Sequence, residues 1–283
     1  MRRLIVNADD FGLTPGVNQA VVELHNAHAL TSATLMATAG HFDQAVSLAE
    51  QSASLGVGCH VVLVDGTPAL PSSQIPSLVD PSSQNGTAFR PKLSTFVTDL
   101  LRGRISDIEI EAEAAAQMKK LQQAGIQVTH IDTHKHTHTF PRVLRSLLRA
   151  ALTCGIKAIR NPFEPDWSLN ATANAGHVRK MQVRLLRSQS TAFSEEVTRA
   201  GLLTTDGAIG VLATGTLDTQ TIRNLLDAMP DGTWELVCHP GYNDAALQQQ
   251  NTRLLESRDV ERTALLETIP HSNCELIHFG QLA

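Results

Sequence analysis

One short segment of the chain carries an unusual density of side chains that can bind a metal ion. Asp132, His134, His136 and His138 follow one another at intervals of two residues. Imidazole and carboxylate groups are common ligands of zinc-like divalent ions, and a metal site needs several of them converging on one point. In an extended backbone, residues two apart share a face, so all four side chains could point into one site. The segment therefore predicts a metal centre, and a solvated polar turn is the alternative.

Similar polar groups follow other apolar runs that predict strands. They are Asp9 and Asp10 after the first run, His60 near the end of a valine-rich run, and Arg160 and His239 after two later runs. A single histidine at a strand end is more often a hydrogen-bonded structural residue. In parallel α/β folds, however, the carboxyl ends of the strands meet at one edge, where active sites are built. The coincidence of five such strand ends predicts one shared site.

The chemistry of this predicted site follows from the residue types. Two adjacent carboxylates, Asp9 and Asp10, could divide the work, with one binding a metal and the other taking a proton from metal-bound water. His239 could supply the complementary acid near neutral pH. For Arg160 two interpretations stay open, because it could clamp a polar group of a substrate or pair with Glu164.

The elements that must position these groups alternate between strand and helix nearly to the end of the chain. Helices are predicted from Pro15, with Thr14 as the cap, and from Pro141 to a stop at Gly155. This alternation and about eight strand candidates predict a single α/β domain over residues 1–283, folded as a closed, or distorted and incomplete, (β/α) barrel. The long aperiodic loop from Gly66 to Pro91 is predicted to be a lid or a substrate rim.

Composition narrows the function classes. The 283 residues are 42% hydrophobic, which is ordinary for a packed domain, and the net charge of -5 argues against nucleic acid as a partner. No run approaches the roughly 20 apolar residues that a membrane span needs. The apolar run at the N-terminus is shorter than a signal-peptide core, so we expect a cytoplasmic protein.

Four stretches together resemble a known family. Residues 5–12 read IVNADDFG, residues 58–60 GCH, residues 129–141 THIDTHKHTHTFP and residues 237–241 VCHPG. In order and spacing they look like the YdjC-like carbohydrate deacetylases, which include the chitooligosaccharide deacetylases and a branch associated with hopanoid biosynthesis. The resemblance runs from residue 4 to about residue 262. It implies a barrel related to the polysaccharide deacetylases.

The resemblance also implies roles for individual residues. A divalent metal would be held by Asp10, His60 and His134, with Asp9 as general base and His239 as general acid. Around them, Asp132 would orient a group from its own strand, His136 and His138 would support the site or face the substrate, and Arg160 and Glu164 would contact substrate or brace the site.

The implied reaction is hydrolysis of an N-acetyl group on a sugar oligosaccharide or glycolipid by metal-activated water, with release of acetate. A ligand set of one carboxylate and two imidazoles suits zinc, but magnesium, manganese, cobalt and nickel also fit it. The resemblance alone suggests a homodimer.

Two other functions remain open from the sequence. Another barrel metallohydrolase, such as a phosphoesterase or an amidohydrolase, also gathers histidines and aspartates at strand ends, although its HxH motif usually follows the first strand. The first strand here ends in two aspartates instead. A non-catalytic protein that binds metal or sugar would need neither Asp9 as a base nor His239 as an acid.

Overall fold

The fold is built on one curled sheet of parallel strands. The computed structural model describes residues 1–83, 86–173 and 176–282. In this part of the chain the strands are β1 (Arg2–Phe11), β2 (Ser32–Leu35), β3 (Gly56–Val61), β4 (Ile131–Thr133), β5 (Gly207–Ile209), β6 (Gly232–Cys238) and β7 (Glu275–Leu276). Their order is β4-β3-β2-β1-β6-β5, and β7 pairs with the start of β1. All of these pairings are parallel.

The sheet is a curled half-barrel rather than a fully closed one. Beyond β4, single parallel bridges join Ile131 to Ile159 and Ala158 to Leu203, and the chain then enters β5 at Gly207. The apolar run that precedes Arg160 therefore forms isolated bridges rather than a regular strand. Of the two predicted forms of the barrel, the incomplete one is found.

Helices connect the strands and cover the outside of the sheet. They are α1 (Pro15–Asn26), α2 (Phe42–Glu50), α3 (Leu93–Leu101), α4 (Asp107–Gln123), α5 (Pro141–Thr153), α6 (Asp166–Ala171), α7 (His177–Arg187), α8 (Ser190–Arg199), α9 (Thr219–Ala228), α10 (Ala245–Gln248) and α11 (Glu256–Thr268). Thr14 caps α1 as predicted, since its hydroxyl accepts a hydrogen bond from the Val17 amide at 3.2 Å. No helix among the described residues is long and apolar enough to cross a membrane.

Side chains that point into the curled sheet are arranged in layers along the strands, because alternate residues of a strand share a face. At the amino end, Ile5 and Ala158 pack with Ile277 and Phe279 of the C-terminal segment in a small apolar cluster. One layer further, the fully buried His130 ring lies over Gly58. A Cβ atom at residue 58 would lie 2.4 Å from this ring, so only glycine fits here. The polar groups of the predicted site form the layer at the carboxyl ends of the strands.

The loop predicted as a lid or rim is tied to α4 and to itself. Glu113 accepts hydrogen bonds from the amides of Ala69 and Leu70 at 2.7 and 3.0 Å. The buried Arg90 guanidinium donates to the carbonyl oxygens of Ser77 and Leu78 at 2.9 and 2.8 Å. These contacts fix the described part of the loop in place, and we call it the tethered loop.

Candidate metal centre and active site

Asp9 and Asp10 reach the site because the end of β1 is irregular. The register between β1 and β2 shifts between Ala8 and Phe11, and Asp10 adopts a left-handed backbone conformation with φ of 65°. This conformation is uncommon outside glycine, although aspartate tolerates it better than most residues. The local kink lets two adjacent carboxylates serve one site, whereas a regular strand would point them to opposite faces.

His60 is oriented by Asp132 on the neighbouring strand. His60 Nδ1 lies 2.8 Å from Asp132 Oδ1, and both side chains are buried. With the Nδ1 proton donated to Asp132, Nε2 points towards Asp10 Oδ1, which lies 3.6 Å away. A carboxylate behind a histidine in this way is the usual support of a metal ligand. The prediction for Asp132 is thus corrected in one respect, because the group that it orients lies on β3 and not on its own strand.

His134 reaches the same point from a tight turn. The strand β4 ends at Thr133, and residues 134–139 form a 3₁₀ turn in which Lys135 and His136 have φ of 58° and 50°. The expectation of an extended run with four side chains on one face is therefore wrong. His134 nevertheless places Nδ1 3.4 Å from Asp10 Oδ1.

These three side chains have the geometry of a metal site. One ligand atom from each of Asp10, His60 and His134 lies within 4.8 Å of the others. One carboxylate oxygen and two imidazole nitrogens form a donor set that suits zinc and similar ions. Since Asp132 turns Nε2 of His60 towards this point, the residues present fit a divalent cation.

A second set of side chains, Asp9, His60 and Asp132, also has one ligand atom from each residue within 4.8 Å of the others. Here a cation is already supplied by the protein. The fully buried Arg160 donates to both Asp9 oxygens at 2.9 and 2.6 Å and lies 2.5 Å from Asp132 Oδ2. A bidentate guanidinium satisfies and neutralises this cluster, so it is an ion-pair network rather than a second metal site.

Of the roles considered above for Arg160, these contacts support bracing of the site. Its Nε donates to Glu235 Oε1 at 2.7 Å, and none of its side chain is exposed. It contacts Asp9 and Asp132 from beneath the site. Burial by itself would raise the pKa of Asp9, but the positive charges of Arg160 and His60 outweigh it and hold that pKa well below its usual range.

His239 lies at the end of β6 beside Asp9. Its Nε2 is 3.7 Å from Asp9 Oδ2, and its backbone amide donates to Glu261 Oε2 at 2.6 Å. Burial lowers the pKa of His239 to about 4, against the opposing charges of Asp9 and Asp10. The ring is thus neutral at pH 7 in the ligand-free protein.

A cavity of about 650 Å³ opens over these groups. It is lined by Asp9, Asp10, His60, His134 and His239, by Asp65, which directly precedes the loop, and by Pro91 at the end of the loop. Of the described part of the loop, only Pro91 lines the cavity, so the role of lid or substrate rim stays a prediction. A cavity of this size admits a small ligand such as a sugar unit.

The remaining predicted residues divide between the cavity and the core. His136 lines the cavity, and burial together with the Arg160 charge lowers its pKa to about 3. His138 is fully buried with Nδ1 2.6 Å from Thr133 Oγ1, so it supports the turn and does not face a substrate. Glu164 is also fully buried and accepts hydrogen bonds from the amides of Gly210 and Leu212. It braces the loop after β5, and the alternative of substrate contact is not supported.

Several residues of the site were missed by sequence reasoning, namely Thr34, Glu235, Arg258 and Glu261. Glu235 stands alone as an acid in the apolar strand β6, which is a signal that the strand faces buried charge. Arg258 and Glu261 lie on the buried stripe of α11 that continues to Ala264 and Leu265. Charged residues on the buried face of an amphipathic helix are a second such signal. Thr34 carries none, since threonine is common in strands.

Comparisons with known proteins identify the family of the chain. A family model described as YdjC-like protein matches residues 3–272. A protein named carbohydrate deacetylase from Brevibacillus brevis is 30% identical over 99% of both chains. A chitooligosaccharide deacetylase from Salmonella paratyphi C is 30% identical over 88% of this chain and 85% of that one. A solved structure described as a putative cellobiose-phosphate cleavage protein from Enterococcus faecalis V583 is similar with a TM-score of 0.72, at 26% identity over 98% and 97% of the two chains.

Proposed function

The chain belongs to the YdjC-like protein family, and from this premise we propose that it is a metal-dependent hydrolase that removes the N-acetyl group from an N-acetylated sugar. Relatives that match nearly the whole chain are named for deacetylation of carbohydrates. The products would be acetate and the free amino sugar. The chemical task is to cleave an amide bond, which needs an activated water and a proton for the departing nitrogen.

The observation that carries the proposal is the convergence of two kinds of group at one cavity. Asp10, His60 and His134 provide a three-atom cradle for a cation, while Asp9 and His239 lie beside it with their nearest atoms 3.7 Å apart. A protein that only binds metal or sugar needs no such pair. The cation, when bound, would supply the Lewis acidity that polarises the acetamide carbonyl and makes a water acidic.

Asp9 is proposed as the general base through its Oδ2 atom. Its Oδ1 atom accepts hydrogen bonds from Arg160, Asn7 and Thr34, at distances of 2.6, 3.0 and 3.2 Å. Among the described residues, Oδ2 accepts a hydrogen bond only from Arg160, and it faces the His239 ring. It therefore keeps a lone pair that can take a proton from the attacking water. Because the pKa of Asp9 is low, the carboxylate is ionised throughout the physiological range, although it is a weak base.

His239 is proposed as the general acid that protonates the leaving amine. Its low pKa means that the ring must gain a proton during the reaction rather than arrive with one. Asp9 Oδ2 is the near carboxylate oxygen from which that proton can come, since it lies 3.7 Å from Nε2. Asp9 and His239 would thus pass one proton from water to the amine. No covalent intermediate with the protein is required.

The proposal is tested by release of acetate. Purified protein is stripped with a chelator, reconstituted separately with zinc, cobalt, nickel, manganese and magnesium, and incubated with N-acetylglucosamine oligomers and with an N-acetylated glycolipid. We expect acetate in the presence of metal and none after chelation. If no reconstituted form releases acetate from any of these substrates, the assignment to this reaction is wrong.

The proposed ligands are tested by a matched pair of histidine variants from one turn. His134→Ala should lose the metal, because it removes one of three ligand atoms. His138→Ala should keep it, since His138 contacts Thr133 and not the cradle. Metal content by atomic spectroscopy and the unfolding temperature of each metal-free variant separate loss of a ligand from loss of the fold.

A further inference from the structure

A buried arginine from the last long helix reaches the candidate metal centre. Arg258, in the first turn of α11, is 1% exposed and places Nη2 2.5 Å from Asp10 Oδ2. It comes from a part of the chain that is 248 residues away from Asp10 in sequence. None of the motifs that point to the site contains it.

This contact divides the two oxygens of Asp10 between two tasks. Oδ2 is held by the guanidinium, whereas Oδ1 faces His60 Nε2 and His134 Nδ1 at 3.6 and 3.4 Å. An unrestrained carboxylate can rotate and offer both oxygens to a cation. With Oδ2 engaged, Asp10 offers one oxygen in a fixed direction.

The guanidinium is itself held in place. Its Nε donates to the carbonyl oxygen of Leu254 at 3.1 Å, one turn earlier. The backbone of residue 241 passes against its stem, and a Cβ atom there would lie 3.2 Å from Arg258 Cδ and 3.5 Å from Cβ, so glycine leaves room for the side chain. The Gly241 amide also donates to the Arg258 carbonyl at 3.2 Å. The position of the guanidinium is therefore set by the fold and not by a ligand.

We propose that Arg258 is a positioning residue that makes Asp10 a single-oxygen metal ligand and thereby sets the affinity and the selectivity of the site. The inference rests on the metal site of the proposed function. Residues that hold a metal ligand from behind typically change metal affinity by roughly 10- to 100-fold when they are removed.

Selectivity follows from charge and ligand type. Arg258 offsets the charge of Asp10, so the two imidazole nitrogens carry most of the attraction for a cation. Nitrogen ligands favour zinc and cobalt, whereas magnesium and manganese prefer oxygen and gain from net negative charge. Without Arg258, Asp10 can rotate, so Co²⁺ loses a ligand of fixed direction and binds more weakly, while the second oxygen becomes available to an ion that prefers oxygen. The preference for cobalt over manganese should then fall.

The test compares Arg258→Met with Arg262→Met in the full-length protein. Methionine keeps the length and the apolar stem of the side chain. Arg262 also lies on α11, but it pairs with Glu23 and Asp259 and not with Asp10, so it controls for the loss of a helix ion pair. For each variant, dissociation constants of Co²⁺ and Mn²⁺ are measured by competition with a chromophoric chelator, and the visible spectrum of bound Co²⁺ reports the ligand geometry.

We expect Arg258→Met to bind Co²⁺ roughly 10- to 100-fold more weakly than the unmodified protein, with a changed spectrum and a smaller ratio of Co²⁺ to Mn²⁺ affinity. Arg262→Met should match the unmodified protein in Co²⁺ affinity, in the spectrum of bound Co²⁺ and in the ratio of Co²⁺ to Mn²⁺ affinity. Unchanged affinity, spectrum and ratio in Arg258→Met would overturn the inference while leaving the proposed function intact. If the unmodified protein binds neither ion, both are overturned together.

If the melting curve of Arg258→Met shows that this variant does not fold, a second variant, Arg258→Lys, tests the proposal. Arg258→Lys keeps the charge but cannot reproduce the guanidinium fork and its reach. Weaker binding of Co²⁺ with a changed spectrum in Arg258→Lys supports the positioning role. A Lys variant that is identical to the unmodified protein in both measurements contradicts it.

Discussion

The charge on single residues decides how this site can take up a metal. Burial lowers the pKa of His60, but the adjacent Asp132 and Asp9 carboxylates outweigh it and raise that pKa to about 9. In the metal-free protein His60 is therefore a cation at neutral pH. Its positive charge and that of Arg160 balance the two aspartates, and a bound metal has to replace the proton on His60.

Metal binding should release a proton from His60. Below about pH 9 the ring is protonated, so metal and proton compete and the dissociation constant should fall roughly tenfold per pH unit as pH rises. Above pH 9 the dependence should flatten. Calorimetric titration in two buffers of different ionisation enthalpy at pH 7.5 measures the number of protons released, which we expect to be about one. A count of zero, with affinity independent of pH, would show that His60 is already neutral.

Asp9→Asn should still bind the metal, but its rate of acetate release should fall. The amide has nearly the same shape, but it cannot accept a proton from water, and general-base catalysis typically contributes roughly 10²- to 10⁴-fold. The measurement is the rate of acetate release at saturating metal, with bound metal quantified in the same sample. Full activity in a variant that retains its metal would remove Asp9 from the role of base.

The kinds of residue at this site could be predicted from the sequence, but their partners could not. Strand-end positions predicted that Asp10, His60 and the segment from Asp132 to His138 share a site, while the choice of His134 from that segment was implied by the family resemblance; the structure brings Asp10, His60 and His134 together. The partners of Arg160 were not predictable, since Asp9, Asp132 and Glu235 come from three separate strands. Which of several distant acids an arginine meets depends on strand order, and the sequence carries no local signal for it.

At the scale of elements, strand positions were more predictable than turn conformations. The run from Asp132 to His138 alternates as a strand would, yet the strand stops at Thr133. Lys135 and His136 take left-handed conformations that neither residue type favours, so no local preference predicts them.

The tethered loop gives a prediction at this scale. Arg90→Met removes the hydrogen bonds to Ser77, Leu78 and the Asp99 carboxylate, and should lower the free energy of unfolding by about 2 kcal/mol, since hydrogen bonds to charged groups contribute about 1.5–3 kcal/mol. Because Pro91 next to Arg90 lines the cavity, the loosened loop should also raise KM for an oligosaccharide substrate. Urea unfolding and steady-state kinetics measure the two effects.

Arg104→Met is the matched control for the loop. Arg104 pairs with the same Asp99, but its side chain is 62% exposed, and exposed ion pairs contribute at most about 1 kcal/mol. It should leave both the unfolding curve and KM nearly unchanged. Equal effects of the two variants would mean that Arg90 does not hold the loop in any special way.

Inside the half-barrel, an apolar layer lies at the amino ends of the strands and a charged layer lies at their carboxyl ends. The C-terminal segment closes the amino end of the half-barrel, where the Phe279 ring stacks on His130 with centroids 3.8 Å apart. Alternation of strands and helices predicted the parallel sheet. It could not distinguish a closed barrel from a half-barrel, because closure beyond β4 depends on two single bridges.

Phe279→Ala should weaken the fold and spare the site. The side chain is 1% exposed, and truncation of a buried phenylalanine costs about 3–5 kcal/mol. The metal ligands lie at the opposite ends of the strands, so the dissociation constant for Co²⁺ should stay within twofold of the original value, an allowance of about 0.4 kcal/mol. Thermal unfolding and metal titration measure the two quantities. Loss of metal affinity without loss of stability would contradict this separation into layers.

Arg160 and the three acids that it joins also constrain how the sequence can change over generations. Asp9, Asp132 and Glu235 share one guanidinium inside the sheet, and losing any one member of a buried ion-pair network leaves the others unbalanced. Their mutational effects are therefore coupled rather than additive. A viable lineage has to change these four positions in concert or leave them alone, even though they are spread over more than 220 residues of the chain.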